Sequence, residues 1–333
     1  MHRHTRREAL AALAATGAAL GFATPLRAQG TQRLRVGYLH TVAVDAQIWI
    51  AQSIGSWKKQ GLDIELTQFQ TGISMFQALV GGSLDVLSTG AVLSNFPARG
   101  QGKVFLANDI EFATAQLWVR PGSGINTVAD LRGKRIATTA GTTANVFLYN
   151  ALQHAGLDIS KDVEIVNQPM NDAVTAFIAG AVPAVALWIP FDVQVREKVP
   201  GAKMLVDASK YYPGAAILDG WAASDDVFQN RKDALRRLIE GWIEANDMLV
   251  HETSRAMPIV AAKYEGIPEP QVLAMYRAEK AFDSKTWARY YRDGTVARWL
   301  QQVTDVYVKL GAMENPVKAS QYFDPSLYLG VVR

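Results

Sequence analysis

The sequence predicts an α/β fold of two mixed or parallel sheets flanked by helices, and three observations lead there. The order strand, helix, strand, helix, strand occurs twice between residues 34 and 188, and strands alternating with helices of this length form parallel sheets covered on both faces. After residue 224 the pattern changes to long amphipathic helices with no cofactor motif. With no cysteine among 333 residues, disulfides, thiolate catalysis and Cys-ligated metals are excluded.

The chain opens with "MHRHTRREALAALAATGAALGFATPLRAQG", a basic start, an alanine-rich apolar middle and a small residue at Ala28 where a peptidase could cut. That is the pattern of an export signal over 1–28. Arg6-Arg7 suggests the twin-arginine route, with Sec export as the alternative. Removing Arg3, Arg6, Arg7, Arg27 and Glu8 takes the 34 basic and 31 acidic residues to 30 of each. A neutral mature chain does not bind nucleic acid through a basic surface. No later run reaches the roughly 18 apolar residues of a membrane span, so no membrane insertion is expected.

In the first copy "LRVGYLH" reads as a strand, and "VDAQIWIAQSIGSWKKQGLDIEL" as a helix, a glycine stop and a strand. "FQTGISMFQALVGGSLDVLSTG" then gives a helix, a Gly-Gly stop and a third strand. The second copy runs "KRIATTAG", "TTANVFLYNALQHAGLDISKDVEIVNQ" and "MNDAVTAFIAGAVPAVALW" in the same order. Each copy puts helix starts at the carboxyl ends of its strands, where open α/β sheets bind ligands, and two such units face to face make a cleft. The helix starts fall at Thr71-Gly72, beyond Thr89-Gly90, at Thr142-Thr143 and after Trp188. Amides and hydroxyls at Thr142-Thr143 can converge on one anion or simply cap a helix. The lysine of a nucleotide-phosphate loop is missing there.

The helical tail includes "DVFQNRKDALRRLIEGWIEANDMLV" and "WARYYRDGTVARWLQQVTDVYVKLGAM". It reads as scaffold, with Trp242, Trp287 and Trp299 as core. Outside the leader the histidines are His40, His154 and His251, without metal-ligand spacing, so neither a metal site nor a cofactor is expected. Asp219 is an acid in the apolar run "AAILDGWAA" and needs a partner, either structural or the ammonium of a ligand. His40 and Asp45, on the loop after the first strand, and Asn145, just behind Thr142-Thr143, are weaker candidates for ligand contact.

"VGYLH", "GLDIELTQFQTG", "ALVGGSLDVLSTG", "DLRGKRIA", "ALQHAGL", "ALWIPFD" and "LDGW", in this order and behind an export leader, resemble the periplasmic substrate-binding proteins of the taurine, sulfonate and nitrate ABC importers. The resemblance covers essentially the whole mature chain. It implies a two-lobed (Venus-flytrap, type II) periplasmic-binding-protein fold, with lobe I from 29–117 plus 222–333 and lobe II from 118–221. It further implies a monomer in the periplasm that closes on a small anionic or zwitterionic ligand and delivers it to a permease driven by a separate ATPase. The family's ligand loops match Thr71, Gly72, Thr89, Gly90, Thr142 and Thr143, and its aromatic-Pro element matches Trp188 and Pro190. "LDGW" is most similar to the taurine-binding branch, whose acid corresponds to Asp219. The sequence departs from the pattern at Ala91, where relatives often carry Ser, Asp or Asn, at Asn145, where many have His, and at Pro183.

Three other readings stand beside it: a binding protein for nitrate or a pyrimidine-like heterocycle, a periplasmic sensor, and a two-lobed biosynthetic enzyme. Against the enzyme, there is no cysteine, no G-x-S-x-G, and no histidine paired with an acid at motif spacing.

Overall fold

The computed structural model describes residues 31–332. The expected export signal at 1–28 lies outside the described residues.

The described residues form two five-stranded sheets with the same plan. The first contains β1 (Gln32–Leu39), β2 (Leu62–Phe69), β3 (Val86–Thr89), β4 (Lys103–Ile110) and β10 (Leu218–Ala223), in the order β2-β1-β3-β10-β4. The second contains β5 (Ala115–Val119), β6 (Arg135–Thr138), β7 (Glu164–Asn167), β8 (Ala184–Trp188) and β9 (Lys203–Asp207), in the order β7-β6-β8-β5-β9. The strands of each sequence repeat pair in parallel. Each sheet is then extended by two strands from outside the repeat, β10 and β4 in the first and β5 and β9 in the second, and the inner one of each, β10 or β5, runs antiparallel to both its neighbours.

These two inner strands make the sheets mixed, and they locate the crossings between sheets. The chain leaves the first sheet after Ile110 and enters the second at Ala115; it leaves the second after Asp207 and returns at Leu218. The expected division between 117 and 118 falls inside β5, all of which pairs in the second sheet. That between 221 and 222 falls inside β10, which pairs wholly in the first. Both strands are mostly apolar, interrupted by Gln116 in β5 and Asp219 in β10, and nothing in their composition marks where the chain changes sheet.

The tail packs on the first sheet's helices. In the helix Lys232–His251, Gly241 lies so close to Trp57 that an added Cβ would stand 2.2 Å from the indole, and Trp57 donates its indole N–H to Leu238 O at 2.9 Å. Trp242 is fully buried and donates to Asn108 Oδ1 at 2.9 Å. Trp287 and Trp299 are buried too. Such side chains contribute about 1.5–3 kcal/mol each by leaving water. The tail also reaches the second half, because Tyr307, on the helix Thr295–Lys309, donates its hydroxyl to Gly141 O at 3.0 Å. No described helix is long and apolar enough to cross a membrane.

Candidate functional site

A cleft of about 500 Å³, mouth included, lies where the carboxyl ends of β1, β3, β6 and β8 meet. Gly72, Thr89, Gly90, Thr142, Thr143 and Trp188 all line it, so the loops singled out in both sequence copies converge. Leu39, Thr41 to Val44, Val92, Glu111, Thr114 and Ile189 complete the wall.

Three helices start at this cleft: Val42–Ile54, Gly72–Val80 and Thr143–His154. The first amides of a helix have no acceptor inside it and carry partial positive charge. Thr41 O accepts from the amides of Val44 and Asp45, and Thr142 O from those of Asn145 and Val146. The amides of Val42, Ala43, Thr143 and Ala144, with those of Gly72 and Ile73, therefore have no acceptor within their own helices. Thr89 adds a buried hydroxyl with no protein partner at the cleft wall.

The threonine pair behaves differently from a simple cap. Thr142 donates its hydroxyl to Thr139 O at 2.7 Å, and no side-chain cap bond forms at this helix start. Thr143 Oγ1 accepts from the amide of Ala91 at 3.1 Å and lies beside Glu111 Oε1, both crowding the space next to Gly90. The Thr142 hydroxyl hydrogen is thus engaged within the protein and the Thr143 hydroxyl sits beside Glu111, leaving the amides behind them as the free donors of the turn. Asn145 closes the turn itself, its Oδ1 accepting from Gly141 N at 3.0 Å.

Four candidates lie off the wall besides Asn145. Thr71 caps its helix, accepting from Ser74 N at 3.2 Å. His40 and Asp45 bond to each other at 2.7 Å, and Asp45 also receives the Tyr264 hydroxyl at 2.7 Å. Asp219 is fully buried behind Gly90, and no donor of another residue reaches either carboxyl oxygen. Burial pushes its carboxyl well above the usual range, and the charges of Glu111 and Asp109 push it further.

Among the described residues that line the cleft, Glu111 is the one ionisable side chain, and no lysine or arginine joins it. The Thr114 hydroxyl donates to Glu111 Oε2, and Glu111 N donates to Ile217 O at 2.9 Å. Burial raises the Glu111 carboxyl, with bonds from Thr114, Thr143 and Asp219 opposing the rise. Sequence reasoning missed this residue. The signal was available in "VFLANDIEFATAQLWV", where acids interrupt an apolar run just as Asp219 does. No group of three or more described His, Asp or Glu side chains is arranged to hold a metal ion.

The chain is similar along most of its length to known proteins. A Brucella abortus protein named only as a binding protein is 28% identical over 290 residues, 87% of this chain and 89% of the relative. The taurine-binding periplasmic protein of Escherichia coli is 26% identical over 234 residues, 67% of this chain and 71% of the relative. The crystal structure of the Escherichia coli periplasmic aliphatic sulphonate binding protein superposes with a TM-score of 0.69 at 23% identity, covering 89% of this chain and 99% of that one. A desulfurization enzyme shares the fold at a TM-score of 0.63 and 16% identity, covering 90% and 98%, so the fold by itself does not separate a binder from an enzyme. The family model described as NMT1/THI5 like matches residues 44–254, and the chain belongs to that family.

Proposed function

We propose that this chain is the extracytoplasmic solute-binding component of an ABC importer, taking taurine or a related small aminosulfonate into the cleft and delivering it to the permease. The observation that carries the reading is the opposed polarity of one small cleft. The helix starts at Val42 and Gly72 present free amides, and Glu111 presents a carboxyl beside the third start, at Thr143. A zwitterion meets both, with its sulfonate on the amides and its ammonium on Glu111. The taurine-binding and sulphonate-binding relatives support the ligand class, and the exported relatives support a periplasmic location.

The ammonium, rather than the sulfonate, belongs beside Thr143, because an anion there would face Glu111 in a buried setting. The two sheets define two lobes that close about 111–114 and 208–217, the protein working as a monomer without chemical turnover. The apolar wall of Leu39, Val42, Val92 and Ile189 beside Trp188 favours a second reading, a flat amine-bearing heterocycle.

Calorimetric titration of the mature protein with taurine, ethanesulfonate and an aminopyrimidine tests the assignment. Taurine should bind and ethanesulfonate should bind much more weakly. A preference for ethanesulfonate removes the aminosulfonate reading, and binding of the aminopyrimidine alone replaces it with the heterocycle. X-ray scattering with saturating ligand should show compaction, and an unchanged radius would count against lobe closure.

A further inference from the structure

Behind the cleft lie four buried carboxyl groups: Glu111, Asp219, Asp109 and Glu279. Asp219 and Asp109 stand opposite each other across the antiparallel pair β10 and β4. Glu111 Oε1 and Asp219 Oδ1 converge beside Gly90, each 2.8 Å from the place of a Cβ there, and Asp109 and Glu279 face one another as interacting acids. Two carboxyl groups can hydrogen-bond only when one of them keeps a proton. For Asp219 there is no alternative, since both its oxygens are buried and no other donor reaches them. One oxygen each of Asp109 and Glu279 is in the same position.

Nothing else nearby neutralises the group. Lys280 directs its ammonium onto the rings of Phe112, Tyr212 and Phe282, at 5.1, 5.3 and 6.0 Å. His40 is committed to Asp45. Tyr276 and Tyr264 face the acids as phenols whose ionisation burial suppresses, with the neighbouring negative charges adding to it. Of the four carboxyls only Glu111 reaches the cleft. At Gly90 an atom in the place of a Cβ would stand 2.8 Å from Glu111 Oε1, 2.8 Å from Asp219 Oδ1 and 2.6 Å from Thr143 Oγ1. The missing side chain thus lets Glu111, Asp219 and Thr143 meet behind Gly90, with Glu111 alone facing the cleft.

We infer that Glu111 and Asp219 are a proton-sharing pair in which a proton and the cationic group of the ligand compete for Glu111, so that solute uptake into the cleft is coupled to pH. Asp219 keeps the shared proton and donates it to Glu111, which faces the cleft as the ionised partner near neutral pH. As the pH falls, Glu111 takes up a second proton, and a cation must displace it to bind. The inference rests on the proposed amine-bearing ligand, and its two parts are read separately.

The shared proton needs no ligand. Infrared spectra of the wild-type mature protein at pH 7.5 should show protonated carboxylic acid, reduced in both Glu111→Gln and Asp219→Asn. An absence of protonated acid in the wild type overturns the proposal whether or not either variant folds. The competition is then read by calorimetry with taurine and ethanolamine at pH 7.5 and pH 5, in two buffers of different ionisation heat. Affinity should fall towards about tenfold per pH unit below the Glu111 titration, with release approaching one proton per bound amine. Affinity for a bound amine that ignores pH sinks the competition and leaves the assigned function standing. Proton release with ethanolamine but no binding of taurine does the reverse. Failure of both amines to bind overturns the competition as well.

Discussion

Thr143 Oγ1 accepts the amide hydrogen of Ala91 at 3.1 Å, so a helix start beside the second sheet holds the loop that follows β3 of the first. The same hydroxyl lies beside the Glu111 carboxyl and favours its charged form. Its loss therefore removes both a bond between the two halves and support for the cleft's carboxylate.

Thr143→Val keeps the shape and deletes both interactions. With neutral hydrogen bonds worth about 0.5–1.5 kcal/mol and bonds to charged groups about 1.5–3, ligand affinity should drop roughly ten- to a hundredfold. Thr142→Val loses only the bond to Thr139 O and should cost less than about tenfold. Calorimetric titration of both variants checks the order; equal losses would show that the bridge to Ala91 has no special role.

Gly90 and Gly220 make a second contrast. A Cβ at Gly90 would press on three side-chain ends that can swing aside. At Gly220 the same atom would stand 2.3 Å from the backbone oxygen of Leu106, which cannot move without parting β10 from β4. Gly90→Ala should fold with a nearly unchanged melting temperature and lose ligand binding. Gly220→Ala should fall by about 3 kcal/mol or more, as backbone overpacking does. A large drop in melting temperature for Gly90→Ala would show that the carboxyl pair cannot yield.

The repeat made much of this arrangement legible, because hydrophobic period and glycine stops are local signals that mark strands β1 to β3 and β6 to β8 with their helices. The cleft-lining threonines and glycines followed from the same rule, that such sheets bind at strand ends. Pairing between distant segments was not legible. Nothing near β5 or β10 says which sheet each joins, and Glu111 and Thr143 are neighbours only because the two halves face each other. Asp219 was singled out as an acid in an apolar run, but the run cannot show that Gly90 and Glu111 lie between it and the cleft.

Asp85 ties the first sheet to the tail. It accepts from the amide of Arg35 at 2.8 Å and from its guanidinium at 2.7 Å, and Arg231 stands 3.3 Å away. Burial alone would raise this carboxyl, but the Arg35 bonds and the charges of Arg35 and Arg231 outweigh it and hold it below the usual range. A depressed folded-state value gives stability that is present above the unfolded value and lost as pH falls through the folded one. Arg35 is 41% exposed, so solvent screening trims the gain to about 1–2 kcal/mol. Asp85→Asn should therefore lower the melting temperature at pH 7, and the gap from wild type should close in acid. A gap independent of pH would point to packing instead of charge.

The His40–Asp45–Tyr264 cluster anchors the loop that carries Thr41 and Val42 to the cleft. His40 stacks on Tyr264 with centroids 4.3 Å apart and bonds to Asp45 at 2.7 Å. The Asp45 bond raises the imidazole above its ordinary value against the opposing effect of burial, with the Asp45 charge and the Lys263 backbone helping. A raised folded-state value gives stability that is complete below the unfolded value and lost as pH rises through the folded one. His40→Phe keeps the stack and removes the charge, leaving Asp45 with the hydroxyl of Tyr264 from the helical tail. The variant should lose about 1–3 kcal/mol at pH 6 and distinctly less at pH 9. Chemical unfolding of both proteins at the two pH values gives the comparison. Equal losses at both would mean that His40 acts through its ring alone, and a loss larger at pH 9 would reverse the assigned direction of its titration.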